Sequence, residues 1–164
     1  METVEQLVAA LREELQHYGE MLVRLDEQQA CVFRRAADDL LRSVESVQNQ
    51  TEALHRQRGL REQLQRETAR QFGLPATATL ADIIDRLPPA YRPLVQALVQ
   101  ENNDLLVRVQ QRARQNHLLL SRSLELMQNL LGSLMPAASG AAYDHNGGAA
   151  PRRLAAHALY EAVG

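Results

Sequence analysis

The chain has 164 residues and a formal net charge of −2, which fits one domain and gives no bulk electrostatic drive toward nucleic acid or an anionic membrane. Leu, Ala, Gln, Glu and Arg dominate, with two Phe, four Tyr and no Trp; such strong helix formers with few aromatics point to long helices packed side by side. Cys31 is alone and makes no internal disulfide, no run nears the roughly 18 apolar residues of a membrane helix, and the acidic start Met1-Glu2-Thr3-Val4-Glu5 lacks the basic n-region of a secretory signal, so a soluble, cytoplasmic protein without membrane insertion is expected.

From Val4 to Phe72 there is no Pro, and only Gly19 and Gly59 interrupt good helix formers. A largely apolar seam runs through Val4, Leu7, Leu11, Leu15, Tyr18, Leu22, Leu25, Gln29, Val32, Ala36, Leu40, Val44, Val47, Thr51 and Leu54 in steps of three and four, about 3.6 residues each, the period of a helix stripe. One helix over about 3–72 is expected, roughly 105 Å long at 1.5 Å per residue. A helix of that length requires a rod or a bend, and the bend falls at 31–38, where Val32, Phe33, Ala36 and Ala37 broaden the stripe.

Gly73 tolerates the left-handed conformation that ends a helix, and Pro75 follows. Thr79 reads as an N-cap with Asp82 three residues on, a variant of the capping box, opening a short helix over about 80–87 that Pro88-Pro89 stops. The next helix covers about 90–134, with a seam through Leu94, Leu98, Asn102, Leu105, Val109, Ala113, Asn116, Leu120, Leu124, Met127 and Leu131. Residues 136–151 are Ala/Gly-rich and read as a linker; residues 152–164 return to helix formers, too few to be stable undocked. The fold class is therefore all-α: an elongated antiparallel hairpin of two long helices over 1–135, with a short connecting helix and a short C-terminal amphipathic helix.

The candidate chemistry is sparse. Glu14-x-x-His17 and Glu52-x-x-His55 each place two ligand types on one helix face, as di-iron bundles do, but 38 residues apart on one continuous helix they stand roughly 57 Å from each other. Asp144-x-Asn146-x-Gly148 begins like a calcium loop, with Ala149 at the sixth position and no closing Glu. There is no phosphate-binding Gly loop and no thiolate zinc set, so no metal or cofactor is expected. Arg56, Arg58, Arg61, Arg66 and Arg70 crowd one helix end but alternate with Glu52, Glu62 and Glu67, as a solvated face does. Asn102 and Asn116 fall on the second seam, where a buried amide costs stability and fixes register or partner number, unless each sits at a solvated seam edge. The short C-terminal helix either binds a partner groove through its i, i+3, i+4 anchors or folds back on its own hairpin.

Several stretches together resemble the FlgN family of flagellar type III export chaperones. Leu7-x-x-x-Leu11-x-x-Glu14-Leu15-x-x-Tyr18-x-x-x-Leu22-x-x-Leu25 is similar to its first helix, and Thr79-Leu80-x-x-Ile83-Ile84-x-x-Leu87-Pro88 to its short mid-chain helix. Asn116-His117-Leu118-Leu119-Leu120-x-x-Ser123-Leu124-Glu125-Leu126-Met127 resembles part of its second long helix, and Tyr143-Asp144-x-x-Gly147 the turn after it. The resemblance implies a non-enzymatic chaperone that holds the hook–filament junction proteins FlgK and FlgL unassembled for the export apparatus. It also implies a client-binding C-terminal region, here Leu154, Ala158, Leu159, Tyr160 and Val163. The alternatives are a structural coiled-coil module that forms a homo-oligomer without a client, and a di-metal helical-bundle enzyme.

Overall fold

The computed structural model describes residues 2–134, all in helices and their connections, with no strand among them. Helix α1 spans Glu2–Arg34, with Glu2 and Glu5 in its first turn, where carboxylates favour the positive end of the helix dipole. Its buried positions Val4, Leu7, Leu11, Glu14, Tyr18, Met21, Leu25, Gln28 and Cys31 recur every three or four residues and make one stripe.

The expected single helix over 3–72 is two helices. Helix α2 spans Ala37–Gln71, and the chain reverses at Arg35-Ala36. The stop is a Schellman turn: Arg35 N donates to Val32 O at 3.1 Å and Ala36 N to Cys31 O at 3.2 Å. Arg35 occupies the left-handed position with φ 54°, which glycine usually fills because a Cβ there crowds the following carbonyl. The same pair of bonds ends α2, Gly73 N to Arg70 O and Leu74 N to Ala69 O, there with a glycine at φ 69°. Arg35→Gly relieves that crowding at some loss of unfolded-chain restraint, so it should raise stability by about 0.5–1 kcal/mol. Urea denaturation checks this, and a lower midpoint would show that Arg35 is not strained.

Helix α3 spans Leu80–Arg86 and opens on the anticipated capping box: Asp82 N donates to Thr79 Oγ1 at 3.2 Å and Thr79 N to Asp82 Oδ2 at 2.8 Å. The Thr79 hydroxyl and backbone bonds hold the Asp82 carboxyl below its ordinary pKa. Helix α4 spans Arg92–Leu134, and the Arg92 guanidinium donates to Leu87 O at 2.7 Å across the Pro88-Pro89 stop.

Residues 1–116 and 117–164 form two compact units. In the first, α2 runs antiparallel to α1, since Gln50 Nε2 reaches His17 O and Gln57 Nε2 reaches Ala10 O, at 3.0 and 3.1 Å. Helix α4 runs parallel to α1, since Asn102 Nδ2 donates to Leu11 O and Asn116 Nδ2 to Leu25 O. The long helices α2 and α4 are therefore antiparallel to each other, as anticipated, with α1 lying along both.

Two apolar layers fill this unit. In one, Val4, Leu7, Leu11, Ala69, Ile83, Leu87, Val95 and Leu98 bring all four helices together. In the other, Tyr18, Met21, Leu25 and Val109 are flanked by Val47, Leu54 and Leu105. Between and beside them α2 contributes amides more than hydrocarbon: only Gln50, Gln57, Thr68 and Ala69 of α2 are buried.

Candidate partner-binding surface

The two seam asparagines are buried. Asn102 is 7 % and Asn116 1 % exposed. Each spends its Nδ2 on a main-chain carbonyl of α1, and Asn102 also donates to Leu98 O and Asn116 to Gln28 Oε1. The Oδ1 of each lacks a hydrogen-bond partner among the described residues. A buried acceptor left unpaired costs roughly 1–3 kcal/mol, which offsets part of what the Nδ2 bonds contribute.

A second polar feature was not legible in the sequence. Glu14 is 4 % exposed, and its Oε2 accepts from Arg61 Nε at 2.9 Å. Tyr18 Oη donates to Glu14 Oε1 at 3.2 Å, and Arg61 Nη1 donates to Gln65 Oε1 at 2.8 Å. Burial, and then the nearby Glu14 charge, push the Tyr18 phenol up to about 12 from the ordinary 10.

Folded protein therefore keeps this proton where unfolded chain loses it. The contribution is whole below pH 10 and fades as pH rises toward 12; the gap corresponds to roughly 3 kcal/mol. Stability between pH 9 and 11.5 should fall more steeply in the native chain than in Tyr18→Phe, and parallel profiles would remove the assignment.

Glu14, Arg58, Arg61, Tyr18 and Asn102 line a small cleft of about 90 Å³. That is room for a few waters, far below the roughly 300–1,000 Å³ of a substrate pocket.

The reversal at Arg35 removes the distance that separated the two Glu-x-x-His pairs, but it does not make them a metal site. Glu14 is committed to Arg61, and His17 Nδ1 lies 3.2 Å from Gln50 Nε2. Glu52 and His55 face solvent. Among the described residues no group of three or more His, Cys, Asp or Glu side chains is placed to hold a metal ion. In the arginine cluster, Arg56 pairs with Glu52 and Arg58 with Glu62 on the α2 surface.

The second unit, from His117, departs most from the sequence reading. The seam through Leu120, Leu124, Met127 and Leu131 was expected to pack like the rest of α4. Instead Leu124, Leu126, Met127, Leu130 and Leu131 are each 58–61 % exposed. At 100° per residue, Leu120, Leu124, Met127 and Leu131 form one row, with Leu119, Ser123, Leu126 and Leu130 beside it. Arg122, Glu125 and Asn129 occupy the other side.

Soluble monomers rarely leave so continuous an apolar face bare, and one rimmed by polar groups marks an interaction site. The chemistry it offers is that of a helix laid along a helix, with leucines as anchors. The residues named for client binding from the sequence, Leu154, Ala158, Leu159, Tyr160 and Val163, lie outside the described residues, as do the linker at 136–151 and the helix at 152–164.

Fold and surface together describe an all-helical bundle with an uncovered apolar helix face, the physical form of a protein-binding module. The family model described as FlgN protein matches residues 1–151, so the chain belongs to the FlgN family, a family of flagellar export chaperones. No significant match to the chain is found among curated proteins or among solved structures. No helix of the described residues is long and apolar enough to cross a membrane.

Proposed function

We propose that this chain is a cytoplasmic chaperone for the hook–filament junction proteins FlgK and FlgL, keeping them unassembled and export-competent, with no catalytic step of its own. The observation that carries the reading is the bare apolar face of α4 from Leu124 to Leu131 in a chain of the FlgN family. The client contributes an amphipathic segment that is unpartnered until it is assembled. Each Å² of apolar surface covered contributes about 25 cal/mol, and the ordering of the client offsets part of it. Such a balance gives a complex tight enough to prevent aggregation and loose enough to release at the export apparatus.

In this reading Leu154, Ala158, Leu159, Tyr160 and Val163 add contacts to the same client. Asn102 and Asn116 hold α4 in register on α1, since a slip of one residue would carry both amides away from the carbonyls they bond.

Co-expression with the terminal segments of the junction proteins tests the proposal. A stoichiometric complex should elute as one peak, and the client should resist protease within it. Separate elution of chaperone and client in both cases would refute the client assignment.

A further inference from the structure

We propose that, before a client arrives, the apolar face of α4 is covered by this chain's own residues 152–163, lying antiparallel along it. The docking itself does not depend on the identity of the client; only the competition described below rests on the export-chaperone reading.

The two partners are complementary in shape. The α4 face is built of long side chains, Leu124, Met127 and Leu131 among them, all uncovered. Residues 152–163 carry the opposite surface. On a helical projection Ala155, Ala158 and Ala162 fall on one line, with Leu154 and Leu159 on either side of it and His157 across from it. A ridge of alanines lets another helix approach closely, and leucines from the facing helix fill the space.

Charge sets the direction. Helix α4 has no basic residue in its last turn, so its terminal carbonyls keep their partial negative charge uncompensated by a side chain there. An antiparallel segment with Leu154 against Leu131 and Ala158 against Met127 brings Arg152 and Arg153 level with those carbonyls. A parallel arrangement sets the two arginines at the far end, away from the α4 terminus.

The tether permits it. Seventeen residues, 135–151, separate the two segments, whereas helix–helix connections need only about 2–8. Tethering also decides between this segment and a second copy of the chain. A covalently attached partner acts at an effective concentration near millimolar, so at micromolar protein the intramolecular contact forms first. A client must then displace it, and the face is never bare in a cell that has no client to offer.

The test is disulfide trapping in full-length protein in which Cys31 is replaced by Ser. One variant carries Gln128→Cys, at the border of the apolar face, with Ala155→Cys on the alanine line. The control carries Asn129→Cys, on the opposite side of α4, with the same Ala155→Cys. The first pair should close within one molecule, at a rate independent of protein concentration and about tenfold or more above the control. Adding a junction-protein terminal segment should slow it to the control rate.

Equal rates for the two pairs would overturn the docking, and covalent dimers growing with concentration would assign the face to a second copy instead. A fast first pair that a bound client leaves unchanged would overturn the competition. Client binding is followed separately by co-elution, so a client that fails to bind counts against the functional reading and leaves the docking result standing.

Discussion

Leu124→Glu combined with Leu131→Glu should reduce affinity for a junction-protein segment by about 1,000-fold, from two central anchors each worth about 2 kcal/mol. Both side chains are about 60 % exposed, so neither substitution opens a cavity. Glu is nearly as good a helix former as Leu. The helical circular dichroism and the melting temperature should therefore stay where they are. Titration calorimetry against the client segment, run beside a thermal melt, reads both quantities. Unchanged affinity would place the client elsewhere on the chain, and a collapsed melt would mean that the face belongs to the folded core.

The second large effect lies inside the bundle. Arg61→Leu should lower stability by about 3–5 kcal/mol, because it leaves the buried Glu14 carboxylate with Tyr18 as its main partner. A domain stable by about 5–15 kcal/mol gives up a large share of that, and the melting point should fall by about 10 °C. Adding Glu14→Leu should recover most of the loss, since an apolar pair of similar volume replaces a buried ion pair at little cost. Denaturant midpoints of the two single variants and the double variant measure the coupling. Additive losses would show that Glu14 and Arg61 do not act as a pair.

The helical class, the mid-chain capping box and the connection through Pro88-Pro89 were legible because each rests on a local rule. Thr79 and Asp82 satisfy one another within one turn, and Gly73 takes the backbone conformation it alone takes without strain. The reversal at Arg35 was not legible for the same reason turned round. Its geometry repeats that at Gly73, but the left-handed position holds an arginine, and no Gly or Pro marks it. The apolar stripe ran across the turn in phase and gave no warning. A bend at 31–38 was the nearest the residues came to announcing it.

The candidate site divides along similar lines. Asn102 and Asn116 could be picked out because they interrupt an apolar seam, though only the tertiary structure shows that both donate to α1 carbonyls. Glu14 and Arg61 could not, because a Glu and an Arg 47 residues apart in a Glu/Arg-rich chain carry no mark of being paired. The face from Leu124 to Leu131 was visible as a stripe, but periodicity reports only that a helix has an apolar side. Whether anything covers that side is a property of the surroundings.

The left-handed turn at Arg35 also bears on the order in which the protein is made. It joins α1 and α2, the first 71 residues, through contacts between segments near in sequence, the kind that form fastest. A chain emerging from the ribosome carries its N-terminal segments first, so both arms of this pair are present before any of α4. The exposed apolar stretch, 124–131, is synthesised after the scaffold's first two helices. Synthesis in that order shortens the time during which the nascent chaperone is itself prone to aggregate.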